Sequence, residues 1–180
     1  MTCFCGRELH ARAGTRFCST ACRVRSHRGA FVPLRMRRLH RWVRHQAKVP
    51  KTVGGKAASS TNPATWSTFD EATASGVGDG LGFVLAADGI ACIDLDHCLD
   101  GSVLAGWARE ILDMAGPTFV EISPSGTGLH VFGLGSVGTG FRHDGIEGYD
   151  RGRYMTVTGQ RFEGAPLRLG RIQHAIQQLR

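Results

Sequence analysis

Apolar positions in this chain fall into short alternating runs separated by glycine-, serine- and proline-bearing breaks, with helical spacing in only a few places. Ala91, Ile93 and Leu95 alternate with Cys92, Asp94 and Asp96, which predicts a strand with its apolar face inward and the two aspartates together on the other face. Phe83–Leu85 and Ile90–Asp96 read as a hairpin around Ala87-Asp88-Gly89, and further strands are expected at 118–123, 129–133, 146–149 and 153–158. Leu104, Trp107, Ile111 and Met114 recur at helical spacing, so Ser102–Ala115 is expected to be a helix with these side chains in the core. Ile172, Ala175, Ile176 and Leu179 mark a C-terminal helix, and Thr68-x-x-Glu71 has the form of a capping box opening a short one. Residues 34–45 read as a basic amphipathic helix or, from Arg41 to Gln46, as the first strand of the main domain. Val49–Pro63, rich in Gly, Ser and Pro, reads as a loop. The order predicts an α+β fold with a largely antiparallel sheet. No apolar run reaches the roughly 20 residues that cross a bilayer, so a cytoplasmic protein without a membrane partner is expected.

Asp94 and Asp96 change this picture from architecture to chemistry. Two like charges on one strand face favour a cation between them, and the fitting occupant is a hard divalent ion such as Mg²⁺ or Mn²⁺, which shares carboxylate oxygens with substrate phosphates. An isolated Asp-x-Asp is more often a polar strand face, but two further segments add to it. Ile122-Ser123-Pro124-Ser125-Gly126-Thr127-Gly128-Leu129-His130 runs through a Gly/Ser/Thr turn of the kind that cradles phosphate, and His130 faces away from Leu129 and Val131. Ile146-Glu147-Gly148-Tyr149-Asp150 then supplies another carboxylate, followed by Arg153, a guanidinium suited to phosphate.

In this order the three segments resemble the motif set of the archaeo-eukaryotic primase superfamily, and most nearly the bifunctional primase–polymerase domains of phages and plasmids. The matching stretches are Cys92-Ile93-Asp94-Leu95-Asp96-His97-Cys98, Ser123-Pro124-Ser125-Gly126-Thr127-Gly128-Leu129-His130, and Glu147 with Thr156-Val157-Thr158-Gly159 after it; the approach segment Ala58–Phe69 is similar too. The resemblance implies an RNA-recognition-motif-like core. It implies that Asp94, Asp96 and Glu147 hold Mg²⁺ or Mn²⁺, that His130 belongs to the catalytic set, and that Ser125 and His130 contact the incoming triphosphate. Lys51 and Arg153 are further candidates for those phosphates. Asp150 competes with Glu147 as third carboxylate, and only the motif match favours Glu147.

Charge is divided unevenly. Residues 1–56 carry 14 Lys/Arg against one acidic residue, a net +13, and residues 57–180 carry 8 against 14, a net −6. A basic front on an acidic rear suits a nucleic-acid partner. Arg23–Arg44 contains eight arginines, with His27, His40, His45 and Trp42 among and beside them. Binding through such a surface is expected to be salt-dependent and largely indifferent to sequence.

The N-terminal segment reads as a second site. Cys3-x-Cys5 and Cys18-x-x-x-Cys22 are two close pairs suited to a tetrahedral Zn²⁺, with His10 or His27 as an alternative to one thiolate and Ser19 as N-cap of a short helix. Metal would supply most of the folding free energy of so small a module. Cys92 and Cys98, beside the acidic motif, are expected to be reduced thiols rather than ligands.

The expected organisation is therefore a zinc-binding module at 1–28 and a primase–polymerase catalytic domain at 29–180, whose 41–63 region is a basic, loop-rich approach. The expected partners are single-stranded DNA template and nucleoside triphosphates, with a replicative helicase acting in trans. Relatives that start primers commonly carry a helical region after the core, whereas this sequence stops at Arg180. A truncated piece, a short stand-alone enzyme and a core that extends but does not prime all fit that ending. Two other classes remain in view: a non-catalytic zinc-containing DNA-binding protein, and a metal-dependent nuclease using the same carboxylates.

Overall fold

The computed structural model describes Ser19 and residues 32–180. The cysteine module at 1–28, with Cys3, Cys5, Cys18, Cys22, His10 and His27, lies outside the described residues apart from Ser19.

Of the two readings of residues 34–45 the strand is the one realised, as β1 (Trp42–Gln46); the amphipathic helix shrinks to a single turn, α1 (Leu34–Arg37). Trp42 drives this corner: it is fully buried, donates from Nε1 to the Met36 carbonyl at 3.1 Å, and meets Phe69 and Phe83 edge-on at 4.9 and 5.1 Å. The chain turns back through β2 (Val49–Lys51), so the loop expected over 49–63 starts with a short strand and ends at a 3₁₀ turn, Pro63–Thr65. Helix α2 (Phe69–Ala74) opens on the expected capping box, with Glu71 N–H donating to Thr68 Oγ1 at 3.2 Å and Thr68 N–H to Glu71 Oε2 at 2.8 Å. Strands β3 (Gly80–Ala86), β4 (Ile90–Leu95), β5 (Leu99–Asp100) and β6 (Val103–Leu104) precede α3 (Gly106–Ala115). Then come β7 (Phe119–Ile122), β8 (Leu129–Leu134), β9 (Phe141–His143), β10 (Ile146–Tyr149), β11 (Arg151–Val157) and α4 (Gln173–Gln178).

The strands form two main antiparallel sheets, in the orders β11-β3-β1-β2 and β7-β8-β4-β10-β9, with β5-β6 a separate pair. β3 and β4 are not the expected hairpin. Both are apolar along nearly their whole length and buried on both faces, so each takes two partners within its own sheet: β1 and β11 for β3, β8 and β10 for β4. Two connections between consecutive strands cross from one sheet to the other, at Ala87–Gly89 and at Asp150, and Ala87 N–H donates to the Asp150 carbonyl at 2.7 Å, locking these crossings together.

Alternation along β4 then builds two cores. Ile90 and Cys92 join Trp42, Phe83, Leu85, Phe119, Phe132 and Met155 between the sheets. Ala91, Ile93 and Leu95 join Leu129 and Val131 beneath α3 and α4, through Ile111 and Ile176. The expected helix at Ser102 starts instead at Gly106, because 103–104 pair with 99–100. Its buried positions are Ala108, Ile111 and Ala115, at the spacing of one helical face. Trp107 stands one residue off that face and is 38% exposed, so its expected place in the core is corrected. Two arginines of the expected basic front are likewise interior: Arg41 pairs with Asp88 at 2.8 Å across the Phe83 ring, and Arg44 Nε donates to the Val77 carbonyl at 2.6 Å. Among the described residues no helix is long and apolar enough to cross a membrane.

Candidate active site

The registers of the second sheet place five charged or ionisable residues in a single row across its strands, Glu121, His130, Asp94, Glu147 and Arg142, each the direct cross-strand partner of the next. They lie on the face turned toward the first sheet, where the apolar positions of β4 give way to Asp94. The row is held by pairwise contacts. His130 Nδ1 lies 3.3 Å from Glu121 Oε1, His130 Nε2 lies 3.7 Å from Asp94 Oδ1, and Arg142 Nε donates to Glu147 Oε1 at 2.8 Å. Glu121 is fully buried and His130 is 4% exposed, whereas Asp94 and Glu147 reach a cleft of about 470 Å³.

Electrostatics along the row follow from this burial. Loss of water raises the Asp94 carboxyl above the usual range; the facing His130 works against the rise, while Asp96 and Glu147 add to it. Burial would discharge His130, but the Glu121 contact and the facing Asp94 outweigh it and raise the imidazole pKa. Oδ1 of Asp94 is buried and accepts no hydrogen bond.

Asp96 reaches the same cleft by another route. β4 ends at Leu95, one residue earlier than expected, and Asp96 opens the following turn with its N–H on the Gly145 carbonyl at 2.7 Å. The Ser/Gly turn closes the neighbouring wall. Ser123 N–H donates to the Gly128 carbonyl at 2.9 Å, and the Ser123, Ser125 and Thr127 hydroxyls follow one another at 2.9 and 3.1 Å. Gly128 is required by space, since a Cβ there would stand 2.7 Å from the Leu95 carbonyl oxygen, so this residue lets the turn lie directly on the end of β4.

Cations and a tyrosine line the mouth. Tyr149 donates to Glu147 Oε2 at 2.8 Å, and Arg153 stacks over its ring at 4.7 Å and donates to its hydroxyl at 3.2 Å. Lys48 enters from the first sheet on the two-residue turn between β1 and β2, where Ala47 and Lys48 both have positive φ, +47° and +63°. That geometry matches a hairpin turn usually given to Asn and Gly and costs strain in other residues. It is pinned from both sides: Ala47 N–H donates to Asp79 Oδ2 at 2.6 Å, and the Tyr154 hydroxyl donates to the Lys48 carbonyl.

Asp94, Asp96, Ser125, His130, Glu147 and Arg153, all singled out in the sequence, line this one cleft. Lys51 does not; it sits on β2 opposite Arg44, and Lys48 takes the place at the cleft. Asp150 is also elsewhere, 2% exposed at the crossover and bonded to Ser136, Val137, Gly138 and Arg151. Sequence reading missed Glu121, Lys48 and Tyr149. Glu121 had a signal: alternation in Phe119-Val120-Glu121-Ile122 puts it with Phe119 on an inward face. Lys48 had none, because its turn lacks the usual turn residues. Cys92 and Cys98 are buried free thiols, and burial pushes Cys98 up to about 11 and raises Cys92 well above the ordinary thiol range.

Among the described residues no three His, Cys, Asp or Glu side chains converge as a ready metal cage. The donor set nevertheless fits a hard divalent ion. Asp94 holds a buried oxygen without a donor, the other carboxyls at the cleft offer only oxygen, and Mg²⁺ typically takes one or two carboxylates and completes its shell with water and substrate phosphates.

No protein-family model matches the chain. A curated relative, the DNA primase-polymerase of Nitratiruptor phage NrS-1, is 46% identical over 123 residues, which cover 61% of this chain and 17% of that protein. The chain thus spans less than a fifth of the relative's length.

Proposed function

We propose that the chain is the catalytic domain of a phage or plasmid DNA primase–polymerase, transferring nucleotides to a growing strand on a single-stranded DNA template. The observation that carries this reading is the cross-strand row itself: Glu147, Asp94 and His130 aligned on one sheet, with Asp96 and the Ser125 hydroxyl in the same cleft and Lys48 and Arg153 at its mouth. Carboxylates at the floor and cations at the rim suit a nucleoside triphosphate bound with divalent ions. The likeness to a phage primase-polymerase supports the same reading, as does the antiparallel α+β core, which we take as the primase counterpart of an RNA-recognition-motif-like fold.

In this proposal Asp94, Asp96 and Glu147 hold Mg²⁺ or Mn²⁺, which when bound supplies activation of a primer 3′-hydroxyl and neutralises charge on the triphosphate. Ser125 and Thr127 offer hydroxyls to the phosphates. Lys48 and Arg153 balance the charge of the leaving pyrophosphate as the 3′-oxygen forms its bond to the α-phosphorus and the bond to the β-phosphate oxygen breaks. Arg142 and Tyr149 steady Glu147 from two sides, a positioning effect of the kind that orders reacting groups before reaction. Zn²⁺ on Cys3, Cys5, Cys18 and Cys22, template contacts from the N-terminal arginines, a helicase in trans and a place in the host cytoplasm complete the proposal.

The deciding experiment is incorporation of labelled nucleotide on single-stranded DNA, with and without an annealed primer, in Mg²⁺ or Mn²⁺, comparing the wild type with Asp94→Ala/Asp96→Ala. Synthesis that vanishes in the variant is the expected result, and product without a primer adds priming. DNA binding without synthesis, unchanged by the substitutions, would leave a non-catalytic DNA-binding protein. Shortening of labelled DNA without nucleotides would make it a nuclease.

A further inference from the structure

Glu121 belongs to none of the matching motifs, yet it is the most enclosed carboxyl beside the cleft. Its Oε2 accepts N–H groups from Gly159 at 2.9 Å and Thr158 at 3.2 Å, and its Oε1 accepts the Thr158 N–H at 3.2 Å. Thr158 and Gly159 directly follow β11, so backbone of the first sheet clamps a side chain of the second, and the carboxyl has no freedom to swing into the cleft. Oε1 also faces Nδ1 of His130 at 3.3 Å, while Nε2 of the same ring faces the donor-free Oδ1 of Asp94 at 3.7 Å. The Phe132 ring stands edge-on to the imidazole, 6.1 Å away at 86°, and limits its rotation. An isolated buried carboxyl is costly, so this one must be satisfied where it stands. The backbone clamp could be served by an amide oxygen. The contact to the ring could not, because an amide oriented that way would turn its NH₂ toward Nδ1 and make that nitrogen an acceptor.

We infer that Glu121 is a positioning residue for nucleotidyl transfer: by accepting the Nδ1 proton of His130, it fixes the orientation and tautomer of the ring and so presents Nε2 to Asp94 and the cleft. Only the kinetic arm of the test rests on the proposed function. In the ¹⁵N-labelled wild-type chain, long-range ¹H–¹⁵N spectra of His130 should show a proton on Nδ1. A bare Nδ1 overturns the inference whether or not the protein makes DNA. The Glu121→Gln variant, which keeps the shape, should change the proton pattern of the ring and lower kcat/KM for the nucleotide by about tenfold to a hundredfold. An unchanged ring and rate would reduce Glu121 to a strap between the sheets and overturn the inference as well. If the variant does not fold, the wild-type spectrum decides. If the wild type makes no product, the functional reading falls, and the two sets of ring spectra still decide the role of Glu121.

Discussion

Asp94 and Asp150 are both enclosed carboxylates on or beside central strands, and their surroundings could hardly differ more. Asp150, at the crossover from β10 to β11, accepts from the Ser136 hydroxyl at 3.0 Å, the Val137 and Gly138 N–H groups at 2.8 and 3.1 Å, and Arg151 Nε at 2.8 Å. Burial alone would raise its pKa, but these donors outweigh that and hold it at about 2. Asp94 has an oxygen with no donor, faces two more carboxylates, and is raised instead. Asp150 is saturated by the protein, whereas Asp94 keeps an oxygen that only a ligand could partner; Glu147 stands between them, its two oxygens met by Arg142 and Tyr149. The same contrast separates Arg41 and Arg44, absorbed into the interior, from Arg153 at the cleft mouth.

Replacing Asp94 should break the comparison most visibly. Asp94→Asn is expected to lower nucleotide incorporation by roughly a thousandfold or more, as loss of a central catalytic group does. Stability should move the other way. A carboxyl whose pKa is raised on folding contributes stability that is fully present below its unfolded value and is lost as pH rises through the folded one. At neutral pH without divalent ions its charge is therefore a burden, and the asparagine variant should melt at a higher temperature than the wild type. A lower Tm would mean that Asp94 is a structural carboxylate after all.

Asp150→Asn should show the reverse pattern: synthesis per folded molecule retained, stability lost. A folded pKa of about 2 against the ordinary 3.8 corresponds to about 2 kcal/mol at neutral pH. Because the folded value is depressed, that contribution is present above pH 3.8 and fades as pH falls toward 2. Urea titrations at pH 7 and near pH 3 read both parts, with the gap between variant and wild type narrowing in acid. Loss of synthesis with unchanged urea stability would move the working carboxylate from Glu147 to Asp150.

The sequence made the chemistry of the second sheet more legible than its architecture. Asp94, Ser125, His130 and Glu147, which line one cleft, could be singled out because their segments follow one another in the order of a known motif set, and for Glu147 over Asp150 that match was the sole ground. Their alignment could not be read, since it depends on the registers of five strands drawn from far apart in the chain. The missed hairpin has a related cause: β3 and β4 are continuous apolar runs joined by a turn, and nothing local says that each belongs to a different sheet. Trp107 was misplaced because helical spacing was counted from Leu104, which pairs in β6 before the helix begins. Arg41 and Arg44 read as a binding surface because composition counts charge without burial.

The smallest expected effect concerns the lysine that reaches the cleft, and it brings the comparison down to two neighbouring side chains. Lys48 lies on a turn with positive φ and lines the cleft, whereas Lys51 lies on β2 away from it. Lys48→Gly removes the ammonium and also relieves a conformation that costs a non-glycine residue about 1 kcal/mol. The variant should therefore be more stable to urea by about that amount, yet show a nucleotide KM raised roughly fivefold, the value of a partly exposed ion contact of ~1 kcal/mol. Lys48→Ala should raise KM equally without the gain in stability, and Lys51→Ala should leave KM within about twofold of the wild type, the scale of a surface change. If Lys51→Ala raises KM while Lys48→Gly does not, the triphosphate is held from β2, by the lysine that was the sequence candidate, and the strain at Lys48 serves only the turn.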